Sequence, residues 1–272
     1  MAKQKIVLIT GASSGIGKAT AFKLIEDGHI VYTAARRLNK MDDLKAKGAR
    51  PYTLDITKEG DIQNVVGHIL AKHEAIDVLI NNAGYAIYGA MEDTRIEDAR
   101  RQFEVNLFGL ARLTQLVLPK MREKGEGTII NLSSMAGKIY TPLGSWYHAT
   151  KHALEGWSDS LRLELKPFGI NVVIIEPGAI KTEFDEVMKN PLLERSGDGP
   201  YGVLAHRIAN ATEKIYTRKA SDPELIADLI SKAIKSNNPK TRYVAGYMAK
   251  PAIFFRKWIP DSWMDKIILK MG

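Results

Sequence analysis

Short runs of aliphatic and β-branched residues alternate along this chain with longer amphipathic stretches. The runs fall at residues 5–10, 30–35, 50–54, 76–81, 127–133, 170–176 and 241–244. Most lack strict apolar/polar alternation, the pattern of strands covered on both faces. The intervening stretches predict helices at roughly 15–27, 40–47, 58–73, 96–124, 145–168 and 223–236. Such alternation implies right-handed βαβ units and an α/β fold, a doubly wound parallel sheet with helices on both faces. No repeat, low-complexity tract or linker divides the 272 residues, which read as one domain. Ligands of such sheets bind beyond the carboxyl ends of the strands.

Composition changes this picture little. The net charge of +8 is compatible with nucleic acid, an anionic membrane or a phosphorylated cofactor. No run of five or more basic residues concentrates that charge, so nucleic acid is not expected. The chain has no cysteine, which excludes disulfides, thiolate nucleophiles and cysteine-ligated metals and fits a reducing compartment, read as the cytoplasm. The apolar run after Lys5 ends at Thr10-Gly11, too short for a signal core or a membrane span and better read as a buried strand.

The first run leads directly into Thr10-Gly11-Ala12-Ser13-Ser14-Gly15-Ile16-Gly17, with a helix following. Gly11 permits the tight turn, Gly15 lets backbone amides approach a pyrophosphate, and Gly17 lets the helix pack on the strand. The helix N-terminus offers unpaired N–H groups and a positive dipole end, so Ser13, Ser14 and Ile16 also fall at the phosphates. This is the dinucleotide-binding pattern of a Rossmann-type sheet. The second run ends Thr33-Ala34-Ala35-Arg36-Arg37, with no carboxylate to select NAD. Guanidiniums suit a 2′-phosphate because their planar fork can bind two oxygens. NADP(H) is therefore the expected cofactor, with Arg36 and Arg37 at its extra phosphate.

Tyr147 and Lys151 lie four apart on an expected helix and share a face. A free phenol, with a pKa near ~10, exchanges protons poorly at neutral pH. A nearby ammonium favours the phenolate and lowers that value. The phenol then serves as acid in reducing a ketone and as base in oxidising an alcohol. Ser134, at the carboxyl end of the run 127–133, faces the same crevice and can donate to the substrate oxygen. Asn81-Asn82-Ala83-Gly84 and Pro177-Gly178-Ala179-Ile180-Lys181-Thr182 close two further runs at this edge. His148 and His152 flank Tyr147 and Lys151 by one position, point away from the crevice, and read as surface residues rather than metal ligands.

In this order, from about residue 5 to 182, these segments resemble the short-chain dehydrogenase/reductase family. The resemblance implies that Gly11, Gly15 and Gly17 are the cofactor glycines and that Asp55, followed by Ile56, contacts the adenine. It places Asn82, Ala83 and Gly84 along the cofactor and Asn106 at a proton-relay water in an irregular helical turn. Ser134, Tyr147 and Lys151 take the remaining catalytic positions, Lys151 also binding the nicotinamide ribose. Pro177, Gly178, Ile180 and Thr182 fall near the nicotinamide. Ser14 departs from the basic residue that many NADP-preferring members carry there, whereas Arg36 matches their other basic position. His152-Ala153-Leu154-Glu155-Gly156-Trp157 and Glu176-Pro177-Gly178 are most similar to the branch of 17β-hydroxysteroid dehydrogenases, retinol dehydrogenases and acyl-dihydroxyacetone-phosphate reductases. That implies a hydrophobic, lipid- or steroid-like carbonyl or secondary alcohol as substrate, in a homodimer or homotetramer. The alternatives are an NAD-dependent alcohol dehydrogenase and a non-catalytic dinucleotide-binding sensor, though such sensors often lack the tyrosine or lysine present here.

Residues 183–217 form an expected helical lid, its middle rich in breakers from Asn190-Pro191 to Gly199-Pro200. Pocket-wall candidates are Tyr85, Ile87, Tyr88, Met135, Tyr140, Leu143, Phe184, Val187 and Met188, mostly apolar or aromatic. Residues 247–272 set Phe254, Phe255, Trp258 and Trp263 among five basic side chains, and Pro260 divides them into two amphipathic segments. Asp261 or Ser262 is the expected cap of the second. The segment suits packing over the substrate mouth or a second subunit, the favoured reading, and also suits a peripheral membrane contact.

Overall fold

The computed structural model describes residues 3–271, apart from the side chains of residues 185–187 and 271. Among the described residues seven strands form one sheet: β1 (Ile6–Thr10), β2 (Ile30–Ala35), β3 (Arg50–Thr53), β4 (Val78–Asn81), β5 (Gly127–Leu132), β6 (Ile170–Pro177) and β7 (Arg242–Ala245). Their order is β3-β2-β1-β4-β5-β6-β7, and every neighbouring pair is parallel. From β1 the chain winds outward to β3, then returns to pair β4 on the other side of β1. That reversal opens a crevice between the carboxyl ends of β1 and β4, the place where such sheets bind ligands.

The unbroken apolar runs follow from burial on both faces. Val7 and Ile9 enter one core with Ala21 and Leu24 of α1 (Gly15–Glu26) and Ile226, Ile230 and Ile234 of α9 (Glu224–Lys235). Leu8, between them in β1, enters the other core with α3 (Glu59–Leu70), α5 (Gly109–Lys124) and α6 (Ser145–Leu165). Each side chain buried this way stabilises the fold by roughly 1.5–3 kcal/mol relative to exposure. The shorter α2 (Asp42–Ala46) follows β2, and α4 (Ile96–Phe103) precedes α5.

Three local features depart from the sequence pattern. Residues 96–124 do not make one uniform helix, because a wider turn at Glu104–Phe108 separates α4 from α5. Pro191 does not break the lid: it sits inside α7 (Phe184–Ser196), and the break comes at residues 197–201, before α8 (Gly202–Arg218). Proline removes one helical hydrogen bond, which α7 tolerates here. In the tail, α10 (Ala249–Trp258) and α11 (Asp261–Met271) flank Pro260 as the pattern suggests. Asp261 is the first residue of α11 rather than its cap, and its carboxylate pairs with Arg256 at 2.8 Å.

A buried polar chain crosses the middle of the sheet. Asn81 Nδ2 of β4 donates to Asn131 Oδ1 of β5 at 2.9 Å, and Asn131 Nδ2 donates to Ser158 Oγ of α6 at 2.9 Å. This ties the strand carrying Ser134 to the helix carrying Tyr147. Replacing Asn131→Ala orphans a buried donor and a buried hydroxyl, at about 1–3 kcal/mol per unsatisfied group. Urea unfolding of that variant should show a loss of roughly 2–4 kcal/mol; an unchanged midpoint would mean the chain carries no weight.

Candidate active site

The crevice is built from the backbone outward. Thr10 Oγ1, at the end of β1, accepts the backbone amides of Asn82 and Ala83 at 3.1 and 3.0 Å. In return, Asn82 Nδ2 donates to the carbonyls of Thr10 and Gly11 at 2.9 and 3.1 Å. Gly11 has a φ of +67°, and a Cβ there would lie 2.8 Å from the Ala83 Cα. A Cβ on Gly17 would lie 2.4 Å from Asn82 Nδ2. The glycines are thus required by the close approach of the β4 end as well as by the turn. Ser14 is extended and no side chain caps α1, which leaves the first amides of the helix facing the crevice. Ile16 borders the crevice from α1, and Thr182 lies across from Gly15, whose added Cβ would meet Thr182 Cγ2 at 2.8 Å.

At the end of β2, Arg36 and Arg37 are both exposed. Arg37 reaches Ser13 Oγ at 3.4 Å and pairs with Glu183 at 3.2 Å, tying the glycine turn to the start of α7. Arg36 stands near Asp55. Burial acts to raise the Asp55 carboxyl, but hydrogen bonds from the Thr57 hydroxyl and amide, helped by Arg36, hold it below its ordinary value. Ile56, which follows Asp55, is buried, and a Cβ on Gly109 would lie 2.4 Å from its carbonyl oxygen, so this turn packs closely on the start of α5.

On the other side of the crevice, Ser134, Tyr147 and Lys151 come together as the sequence predicts. Ser134 and Tyr147 line the same cavity, where Ser134 acts to favour the phenolate. The Ser134 hydroxyl accepts the Ala136 amide at 3.1 Å and lies 3.5 Å from the Pro177 carbonyl. Lys151 Nζ donates to the Leu132 carbonyl at 2.7 Å and sits 6.0 Å from the Tyr147 ring centre. Burial lowers the Lys151 ammonium to about 8, opposed in part by Glu155 one turn along α6. The phenol behaves differently from the sequence expectation. Burial raises Tyr147 well above the ordinary tyrosine value, Tyr88 adds to that, and Ser134 only partly opposes it. Without a further positive charge in the crevice, Tyr147 therefore keeps its proton. Asn106, in the wide turn after α4, donates to the Tyr85 carbonyl at 2.9 Å and to Thr150 Oγ1 at 3.1 Å, and accepts the Tyr85 amide. Gly84 lies against both Asn106 and Lys151 Nζ.

A family model described as short chain dehydrogenase matches residues 5–191. The chain belongs to the short-chain dehydrogenase/reductase family. It is 36% identical to a 3-ketodihydrosphingosine reductase of Bacteroides thetaiotaomicron, covering 96% of this chain and 95% of the relative. An NADPH-dependent 3-dehydrocapnine reductase of Ornithobacterium rhinotracheale is 34% identical, over 98% of this chain and 96% of its own. A solved short-chain dehydrogenase from Streptomyces avermitilis superposes with a TM-score of 0.79 at 33% identity, over 99% of this chain and 96% of its own. This dehydrogenase/reductase is thus an oxidoreductase acting on CH–OH or carbonyl groups, and its crevice fits a nicotinamide dinucleotide. The uncapped start of α1 offers free amides to phosphates, and the glycine turn leaves room for backbone approach.

From Tyr147 a cavity of about 560 Å³ runs outward under the lid. Tyr88, Met135, Tyr140, Phe184 and Met188 line it as expected. Three other wall candidates do not. The Tyr85 backbone anchors Asn106, Ile87 is buried with its amide on Gln102, and Leu143 packs with Ala90 and Leu192 in a separate cluster. Val187 lies outside the described side chains. The lid is pinned shut on the loop after β4: Ser196 Oγ accepts the Ala90 amide at 2.9 Å, and Arg195 donates to the Tyr88 carbonyl at 3.2 Å. The outer wall is formed by Ile208, Ala211, Thr212, Ile215 and Tyr216 of α8, side chains that sequence reasoning did not name, together with the tail helices, which lie over the mouth as expected. The spacing of 208, 211 or 212, and 215 was the available signal, one apolar helical face without a known partner.

His148 also needs correction. It is buried, not at the surface, and burial lowers its pKa. Its Nε2 accepts the Thr141 amide at 3.0 Å, so Nδ1 carries the proton it gives to the Ala136 carbonyl at 3.0 Å. The ring thereby fixes the loop between Ser134 and Tyr147. Among the described residues no cluster of three or more histidines and carboxylates could hold a metal.

Behind Lys151 lies a second buried cluster. Glu155 pairs with Lys138 at 2.8 Å and with Arg242 at 3.0 Å, while Glu176 pairs with Arg242 at 3.1 Å. The two carboxyl groups share the Arg242 guanidinium, and Glu155 Oε1 is buried without a hydrogen-bond partner. Burial, then the Glu155 charge, raise Glu176 from 4.5 toward about 7. A raised folded-state pKa means the native state holds the proton longer, so this contribution is full below about 4.5 and is lost as pH rises through about 7. Glu176→Gln cannot ionise and should flatten that loss. Thermal melts of both proteins across this window should show the wild type falling relative to the variant; parallel curves would mean that Glu176 is not raised in the folded protein.

Proposed function

We propose that this chain reduces a hydrophobic, lipid- or steroid-like ketone with NADPH, as one domain with residues 183–217 as its lid. The observation that carries the reading is the cavity, whose apolar walls lead to the Tyr147 and Ser134 hydroxyls. A mostly apolar passage ending at two hydroxyls selects a chain-like or ring-like body with one carbonyl. Relatives named as a 3-ketodihydrosphingosine reductase and an NADPH-dependent 3-dehydrocapnine reductase support it.

In this mechanism NADPH, when bound, supplies the hydride to the carbonyl carbon. Ser134 donates a hydrogen bond to the carbonyl oxygen, and Tyr147 gives that oxygen its proton. Burial favours the protonated phenol, the form that reduction consumes, while making it a weaker acid until positive charge in the crevice lowers it. The reverse reaction requires the phenolate, which the positive charges of Lys151 and the oxidised nicotinamide would favour. Lys151, held at the Leu132 carbonyl, is placed to bind the nicotinamide ribose, and Asn106 fixes the Tyr85 segment beside it. Gly11, Ser13, Ser14, Gly15, Ile16 and Gly17 hold the pyrophosphate. Asp55 and Ile56 would meet the adenine, Asn82, Ala83 and Gly84 would line the cofactor, and Pro177, Gly178, Ile180 and Thr182 would fall near the nicotinamide. A homodimer or homotetramer belongs to the same reading, supported by exposed Ile96 and Phe108 beside Trp146.

The test is a substrate screen following NADPH consumption with a long-chain 3-ketoamine, ketosteroids, retinal, acyl-dihydroxyacetone phosphate and small aryl ketones. The long apolar ketones should give the highest kcat/KM, and Tyr147→Phe should lower their turnover by roughly 10²–10⁴ while NADPH still binds. Preference for small polar alcohols, or a Phe variant near wild-type rate, defeats the assignment.

Cofactor choice is tested separately. Arg36 is exposed at the end of β2, where a 2′-phosphate would meet its fork, whereas Arg37 is already tied to Ser13 and Glu183. Arg36→Ala should weaken NADPH binding by about one to two decades, from the roughly 1.5–3 kcal/mol of a charge-assisted contact, and leave NADH almost unaffected. Fluorescence titration with both cofactors checks this; an unchanged NADPH/NADH ratio rejects it.

A further inference from the structure

The cavity continues past the lid to the surface, where α10 and α11 supply its outer wall through Phe255, Ile259, Met264 and Ile268. The remaining surface of these two helices is unusually apolar. Phe254, Trp258, Trp263 and Leu269 are 61%, 67%, 67% and 58% exposed. Phe254 and Trp258 lie one turn apart on α10, and Trp263 and Ile267 lie one turn apart on α11. Contiguous exposed apolar groups of this size mark an interaction surface.

Charge identifies the partner. Both acidic residues of the tail are exposed but paired within the protein: Asp261 with Arg256 at 2.8 Å, and Asp265 accepting the Tyr140 hydroxyl at 2.8 Å. Arg256 also lies 5.2 Å over the Tyr140 ring, so it too is engaged within the protein. Lys250, Lys257, Lys266 and Lys270 remain as exposed positive charge around the aromatic side chains. Lys257 lies 5.3 Å over the Trp258 ring, its stem along apolar surface and its ammonium outward. Aromatic residues flanked by lysines on short amphipathic helices match the headgroup region of an anionic bilayer. With 10 and 11 residues the helices can lie in that plane but are too short to span, since a crossing needs about 20.

We propose that α10 and α11 seat the protein on an anionic lipid bilayer with the cavity mouth facing the acyl chains, so that an apolar substrate passes between membrane and active site without entering water. Packing over the mouth and membrane contact are then two faces of one device. The passage of substrate rests on the apolar-ketone reading above, whereas bilayer binding does not, and each can fail without the other.

The full chain is mixed with phosphatidylglycerol/phosphatidylcholine vesicles or with pure phosphatidylcholine vesicles, and binding is read by co-sedimentation and tryptophan emission. It should pellet with the anionic vesicles, its emission shifting to shorter wavelength as Trp258 and Trp263 leave water, and bind pure phosphatidylcholine at least tenfold more weakly. Changing Lys250, Lys257, Lys266 and Lys270 to glutamine should cost about fivefold in partitioning per residue removed. Trp258→Ser with Trp263→Ser should abolish the emission shift; all six side chains are exposed, so the melting temperature should hold. Full-length protein left in the supernatant with anionic vesicles, or glutamine variants that bind as well as wild type, would overturn the proposal. So would a dimer that dissociates on the tryptophan substitutions without any vesicle binding, which would assign the face to a second copy.

Discussion

At the carboxyl edge of the sheet, the Thr10 hydroxyl accepts two amides of the chain leaving β4, and the Asn82 side chain returns two hydrogen bonds to the end of β1. These reciprocal bonds hold together the two strands between which the winding of the sheet reverses. A parallel sheet leaves its strand ends without ladder partners, and at a reversal point no crossover helix covers them. Side chains must therefore satisfy the backbone there while leaving a crevice open. Gly11 and Gly17 have no side chains because Asn82 and Ala83 approach so closely. The start of α1 consequently faces the crevice with its amides uncapped. The cofactor turn and the segment lining the opposite side are one hydrogen-bonded unit.

The reacting groups depend on a second set of buried polar contacts. Asn81, Asn131 and Ser158 join β4, β5 and α6, and His148 joins α6 to the loop after Ser134. Asn106 links the loop after β4 to Thr150 in the same helix. Tyr147 is thus placed by three different segments before any ligand arrives, which reduces the reorganisation needed at the moment of reaction. The same burial raises the phenol and lowers the lysine. Each ionisable group here is pushed toward its neutral form, and a charged cofactor in the crevice would reverse part of that push. Glu155, behind Lys151, limits how far its ammonium can fall.

The lid and tail solve a separate problem, that of covering a long apolar cavity. The lid is anchored by Ser196 and Arg195 to the loop after β4, so the wall over the substrate is tied to the same strand end that supports the cofactor turn. The turn into the tail is tied to the segment after β6: a Cβ on Gly178 would lie 2.1 Å from the Tyr247 carbonyl, and Met248 takes a left-handed φ of +64°. Such a conformation costs a non-glycine residue of order 1–3 kcal/mol, and here it directs α10 across the cavity mouth.

Much of this was legible in the residue order. Strands buried on both faces leave continuous apolar runs, and a glycine turn between strand and helix has few uses besides phosphate binding, so β1, α1 and the Tyr147/Lys151 pair could be read directly. The helical spacing of Tyr147 and Lys151 is a local property, which is why it survives folding unchanged. His148, Tyr85 and the α8 side chains of the cavity wall were not legible, because burial and partnership depend on segments distant in the chain. His148 is one residue from Tyr147 yet finds Thr141 and Ala136, brought there by a loop whose path no local pattern specifies. The protonation of Tyr147 is of the same kind: its neighbour Lys151 was visible in the sequence, but the loss of water that outweighs that charge belongs to the packed protein alone. Local periodicity and turn chemistry therefore determined the elements and the identities of the reacting groups. Only tertiary packing decided their solvation, their hydrogen-bond partners and the shape of the cavity, because those depend on contacts between residues far apart in sequence.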